Sequence, residues 1–163
     1  MLNRKQCTRN IQCSRQVKDM GENGKIQLLT WMIGNQMYGA DVKFCLEVQK
    51  DISVVEVPHS KKYISGIVNL RGDVVTVLDL QVLLAQKAAA TREKSVIIRF
   101  NSRERQVAIK ADAIRDVLEI PFSKLEDAGT RLSSTETKYL PYIAYTDSTF
   151  LLILNIEELF VVK

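Results

Sequence analysis

The feature that most constrains this chain is a strand–turn–strand–cap unit that occurs twice. The first copy, Tyr63 to Leu80, reads YISGIVNLRGDVVTVLDL, two nearly unbroken apolar runs around NLRGD. The second, from Tyr139, reads YLPYIAY, then TDS, then TFLLILNIEELF. Asn155 stands 76 residues after Asp79, and Ile143 the same distance after Ile67. Asp79 and Asn155 are both good helix N-caps, and each is followed by apolar residues at i, i+3 and i+4 of a short helix: Leu80, Leu83, Leu84 and Ile156, Leu159, Phe160. Continuous rather than alternating apolar strands call for cover on both faces. Gly72 can take the positive φ that a tight turn at RGD demands. Two copies of one β-rich subdomain, each closed by a short helix, is the economical reading. Five short strands per copy suit a small closed barrel, which leaves no exposed edge.

The remaining segments fit that plan. Order is expected to begin at KIQLLTWMI, turn at GNQ and return through MYGADVKF, a hairpin signal. FCLEV and ISVVEV read as further β-runs split by QKD, and Pro58 ends the second by removing a ladder donor. DLQVLLAQ reads as the short helix, and KAAATREK is the best internal boundary. Beyond it, SVIIRF and RQVAI flank a turn at NSRE, and ADAIRDVLEI runs to Pro121. Ser123 to Thr137 reads as a polar loop. The expected organisation is a flexible basic leader, 1–24, and one domain, 25–163, with halves of about 25–87 and 88–163.

Charge supports a separate leader. Residues 1–25 carry six Lys or Arg against Asp19 and Glu22, which accounts for the entire net charge of +4. The body balances seventeen positive against seventeen negative residues, with no basic stripe of the kind nucleic-acid binders display. No apolar run approaches membrane-spanning length, so a soluble cytosolic protein is expected. Of the three cysteines, Cys7 and Cys13 fall in the leader, and Cys45 reads as a small buried hydrophobe. No C-x-x-C pair accompanies the single histidine, His59, so no zinc site and no other cofactor is expected.

Catalytic patterns are missing too. There is no G-x-S-x-G elbow, and no Walker or dinucleotide glycine pattern. Asp41, Asp79, Asp112 and Asp116 sit where turns, caps or strand ends want a carboxylate. A nucleic-acid-binding barrel is favoured only by the leader, and a hydrolase or transferase only by His59. Arg71 is the residue that asks for a purpose, being mounted on a turn between two buried strands. Its planar fork of donors suits a carboxylate or carbonyl on a partner, or an internal pair with an acid such as Glu47. Spacing admits both.

YISGIVNLRGDVVTVLDL resembles the signature of the CheW-like chemotaxis coupling proteins, through Gly66, Ile67, Asn69, Leu70, Arg71, Gly72, Val77, Asp79 and Leu80. Tyr38, Asp41, Val42, Glu47 and Val48 resemble an earlier family motif, and Asp112, Asp116 and Val117 a later one. Thr76, Ala108, Lys110 and Asn155 depart from the pattern. The resemblance covers about residues 26–160. It implies a mainly β fold of two intertwined, SH3-like five-stranded barrels with short helices. It also implies a cytoplasmic, non-enzymatic adaptor that joins the tips of chemoreceptors to a CheA-type histidine kinase in arrays at the inner face of the membrane, without inserting into it. A counterpart in a pathway controlling pili or another non-flagellar output is the alternative. By resemblance, Arg71, Glu47, Gly66, Ile67 and Val48 are the expected partner-binding residues. Asn69, Gly72, Asp79 and Asn155 are expected to shape turns and cap helices.

Overall fold

The computed structural model describes residues 24–84, 95–146 and 149–162. Apart from Gly24, the expected leader with Cys7 and Cys13 lies outside the described residues, as do the connector 87–94 and Asp147 and Ser148 of the second repeat's turn. Among the described residues the strands are β1 (Lys25–Ile33), β2 (Gln36–Asp41), β3 (Cys45–Lys50), β4 (Ile64–Leu70), β5 (Asp73–Leu78), β6 (Val96–Ser102), β7 (Arg105–Ala111), β8 (Ala113–Pro121), β9 (Leu125–Asp127), β10 (Tyr142–Tyr145) and β11 (Phe150–Ile153). Three short helices accompany them: α1 (Leu80–Leu83), α2 (Ser134–Tyr139) and α3 (Ile156–Val161). The fold is mainly β, as expected.

The strands form two sheets, one ordered β8-β1-β2-β11-β10-β9 and the other β3-β6-β7-β5-β4. Neither sheet is drawn from one half of the chain. The β1–β2 hairpin lies between β8 and β11, and the β6–β7 hairpin lies between β3 and β5. The two halves have thus exchanged their first hairpins. The joins on the inner side are parallel, β11 on β2 and β5 on β7. The repeated units occupy matching places: β4–β5 with α1 in one sheet, β10–β11 with α3 in the other.

This arrangement explains the unbroken apolar runs. One large cluster lies between the sheets and includes Trp31, Tyr38, Phe100, Ile98 and Ile109 together with the buried faces of the helices. Each sheet also has a cluster of its own: Ile26, Leu28, Ile120, Leu151 and Ile153 in one, Val68, Leu70, Val75, Val77 and Ile97 in the other. Along β6, Ile97 serves its own sheet while Ile98 serves the shared core, so both faces want apolar side chains. The caps form as the spacing requires. Asp79 Oδ1 accepts from Val82 N at 3.1 Å, and Asn155 Oδ1 from Glu157 N at 3.2 Å. Leu80, Leu83, Ile156, Leu159 and Phe160 are buried.

Two segments differ from expectation. ISVVEV forms no strand; Val55 alone makes a bridge, with Ile67, before the chain turns through Pro58 and His59. His59 is exposed at φ 60°. The polar stretch 123–137 is not a plain loop, since it contains β9 and most of α2. β9 adds a sixth strand by pairing with β10. The helix starts from a capping box in which Ser133 Oγ accepts from Glu136 N while Glu136 accepts from Ser133 N.

Candidate functional site

The site is built on the second sheet, from the turn between β4 and β5. Arg71 and Gly72, its two central residues, have φ 55° and 91°, the positive pair that a tight hairpin needs. Asn69 braces the turn, its Oδ1 accepting from Gly72 N at 3.0 Å. Arginine at positive φ is disfavoured by about 1–2 kcal/mol relative to an ordinary conformation, so its presence where Asn or Gly would fit asks for a reason beyond the turn. Its side chain is 78% exposed, and its Nε lies 3.1 Å from Glu47 Oε2. Of the two roles left open by spacing, the internal pair with Glu47 is present, and the guanidinium is still presented to solvent.

Glu47 reaches that position from β3, an edge strand of the sheet. Glu47 and Gln49 turn inward while Leu46, Val48 and Lys50 are exposed, and a register shift between Cys45 and Glu47 lets Cys45 pack on the shared core instead. Val48 therefore projects from the face opposite Glu47. Beneath the pair lies a residue that sequence reasoning missed. Arg99, on β6 in register with Glu47, is 4% exposed. Its Nη1 donates to Glu47 Oε1 at 2.9 Å and to the Leu70 carbonyl at 3.4 Å. Its Nη2 donates to Asp73 Oδ2 at 2.6 Å and to Gln106 Oε1, and its Nε donates to the same Gln106 oxygen at 3.0 Å. Each guanidinium nitrogen thus finds acceptors, the condition on which a buried charge is tolerable. The available signal was a charged residue inside SVIIRF, at an inward position of a buried strand.

The electrostatics follow from these contacts. Glu47 is held below the usual carboxylate range, chiefly by the hydrogen bond from Arg99; Gln49 and the charge of Arg71 add to this, while burial opposes it. Burial alone would lower the Arg99 value, but hydrogen bonds to Asp73 and Glu47 outweigh it and raise it. The formal charges of the two arginines, Arg71 and Arg99, and the two acids, Glu47 and Asp73, cancel. Cys45, half-buried at the start of β3, has its thiol pushed up to about 12 by burial and by Asp41. It is a packing residue rather than a nucleophile.

Gly66 and Ile67 belong to a different part of the same sheet. Ile67 exchanges two backbone hydrogen bonds with Val55, of 2.9 and 2.8 Å. Gly66 makes that contact possible, because a Cβ there would lie 2.2 Å from the Val55 carbonyl oxygen. The outer face of β4 and β5 beside this bridge carries Val55 at 62% and Val74 at 67% exposure, with half-buried Ile67 and Thr76 between them. Val74 follows the Arg71 turn directly. The site thus consists of a fixed guanidinium at the tip of a hairpin whose outer face is apolar, a composition suited to docking a protein with one charged contact.

The sequence and the fold have counterparts in known proteins. A family model described as a CheW-like domain matches residues 27–163. The chemotaxis protein CheW of Klebsiella aerogenes is 30% identical over 139 residues, covering 85% of this chain and 84% of that protein. A probable chemotaxis protein CheW of Rhizobium etli is 27% identical over 144 residues, covering 88% and 92%. Among solved structures, the scaffolding protein TtCheW from Thermoanaerobacter tengcongensis superposes with a TM-score of 0.71 at 25% identity, over 80% of this chain and 88% of that one. With the matched domain spanning nearly all of the described structure, the chain belongs to the CheW-like family.

Proposed function

We propose that this protein is a non-enzymatic adaptor that couples chemoreceptors to a CheA-type histidine kinase in the cytoplasm, and that Arg71 and Glu47 lie on its receptor-side surface. The observation carrying this reading is the exposed Arg71 guanidinium, paired with Glu47 at the tip of a hairpin whose outer face carries exposed Val74 and half-buried Ile67, with exposed Val55 bridged to Ile67. Apolar contact supplies most of the affinity, and the charge sets register. Each contact can be weak, because an array of many adaptors substitutes effective concentration for affinity. Receptor state then reaches the kinase through a coupling free energy on the order of 1–3 kcal/mol. Among the described residues no helix is long and apolar enough to cross a membrane.

The test is co-sedimentation of the full chain with receptor-containing membranes and the kinase. Arg71→Ala and Arg71→Glu are expected to stay folded by circular dichroism and to lose roughly tenfold in receptor association, about 1.4 kcal/mol. Arg71 variants are cleaner than Glu47→Arg, which would also take an acceptor from buried Arg99. Unchanged co-sedimentation of both variants refutes the site. The kinase and receptors that co-purify tell a flagellar pathway from one serving pili or another output.

A further inference from the structure

We propose that buried Arg99 is the positioning residue for Arg71: it neutralises and fixes the protein's own carboxylates so that the terminal amino groups of Arg71 stay available, end-on, to an acidic side chain of the receptor. This rests on the docking reading above and specifies the chemistry of its partner.

Three observations carry it. The first is position. Arg99 is buried two residues along β6 from Ile97, a member of its own sheet's core, at a position where an apolar side chain would serve packing at least as well. A buried ion network is weak as a stabilising device, since desolvation offsets most of the attraction. The second is reach. Arg99 ties Glu47 on β3, Gln106 on β7 and both ends of the Arg71 turn, through the Leu70 carbonyl and Asp73. The acid that holds Arg71 and the turn that carries it are therefore locked to the same guanidinium.

The third observation is charge. Glu47 and Asp73 bear two negative charges beside Arg71. Without Arg99 those charges would more than cancel Arg71 and repel an incoming carboxylate. With Arg99 the cluster is neutral. Glu47 meets Arg71 at its Nε, 3.1 Å from Oε2, and the same Oε2 also receives Gln49 Nε2 at 3.4 Å. The Nη1 and Nη2 edge of a side chain that is 78% exposed is left for a bidentate carboxylate from outside. Glu47 keeps Arg99 as a partner even when Arg71 shifts toward that ligand.

The experiment uses the full chain with two readouts. In the free protein, the Arg71 Nε–Hε signal is followed by nitrogen–proton NMR. Affinity is measured for the soluble signalling fragment of a chemoreceptor from the same organism. Arg99→Lys keeps a charge but loses the fork, and Gln106→Leu removes one Arg99 acceptor without touching Glu47 or Asp73, which covers the case of a poorly folded Arg99→Lys. Both are expected to broaden or abolish the Arg71 Nε–Hε signal. Arg99→Lys should weaken fragment binding at least fivefold, and Arg71→Ala/Arg99→Lys should bind no more weakly than Arg71→Ala alone. A folded Arg99→Lys protein with the Arg71 signal and the affinity both unchanged overturns the inference, as does a double variant weakened by the product of the single effects. If Arg71→Ala itself has no effect on binding, the docking reading fails, and the NMR signal alone then decides whether Arg99 positions Arg71.

Discussion

Gly66→Ala tests the packing of the site most directly. An added methyl carbon would sit 2.2 Å from the Val55 oxygen, 2.8 Å from its carbonyl carbon and 2.9 Å from Val54 Cγ1, and the backbone φ of 150° already suits glycine alone. Ordinary contact begins at 3.4 Å, so the Val54–Val55 segment must retreat by roughly 1 Å, and the obstruction is backbone rather than a flexible side-chain end. That retreat breaks the two hydrogen bonds between Val55 and Ile67. At about 0.5–1.5 kcal/mol each, together with about 1–3 kcal/mol of backbone strain, the expected loss is about 2–6 kcal/mol. Urea unfolding of the full chain at 25 °C measures it. Gly72→Ala is the control, because at φ 91° it meets the conformational penalty with nothing within 4 Å of the new methyl. It should lose only about 1 kcal/mol. A Gly66→Ala protein within about 0.5 kcal/mol of the parent, or no more affected than Gly72→Ala, refutes the claim that close approach to Val55 is what requires the glycine.

Three further outcomes are expected. Because the folded-state value of Glu47 lies below its unfolded value, its contribution to stability is fully present above the ordinary glutamate range and disappears as pH falls through the folded value; Glu47→Gln should therefore be destabilised at pH 7, and the gap to the parent should narrow as pH falls below the ordinary glutamate range in urea titrations. With its thiol pushed up to about 12, Cys45 in the folded protein should alkylate with iodoacetamide at pH 8.5 at least tenfold more slowly than in urea-unfolded protein, as read by peptide mass spectrometry; equal rates would contradict its burial. Asp79→Ala should cost about 1 kcal/mol in thermal or urea unfolding through loss of the α1 cap, and Asp79→Asn should recover most of it.

Local signals in the sequence carried the strands, turns and caps. The apolar run at Phe150–Ile153 was readable because a strand buried on both faces has no polar alternation, and Asp79 and Asn155 because N-capping is a local hydrogen bond; the run at Ile64–Leu70 also reads as doubly covered, yet only one of its faces is, since Ile67 is half-buried and Asn69 exposed on the other. The helix starting at Ser134 carried its own sign, the Ser133 and Glu136 spacing, but was obscured by the polar composition around it. ISVVEV misled in the opposite direction: its valines have strand propensity, yet Val55 alone finds a backbone partner. Arg71 was legible as a mounted charge, and Glu47 as one candidate mate. Arg99 was not, because a buried arginine is explained only by the acceptors that tertiary structure brings to it, and Asp73, Gln106 and Leu70 lie 26, 7 and 29 positions away in sequence. Which hairpin joins which sheet is equally non-local.

The exchange of hairpins between the halves has a mechanical meaning. A fragment ending in the 85–94 stretch would keep β3, β4 and β5 but lack the β6–β7 ribbon that joins them, and the remaining fragment would lack β1 and β2. Neither piece closes a core by itself, yet each carries what the other is missing. Expressed separately, the two should be soluble only together, and the intact chain should melt in one step because each sheet's own cluster draws strands from both halves of the sequence.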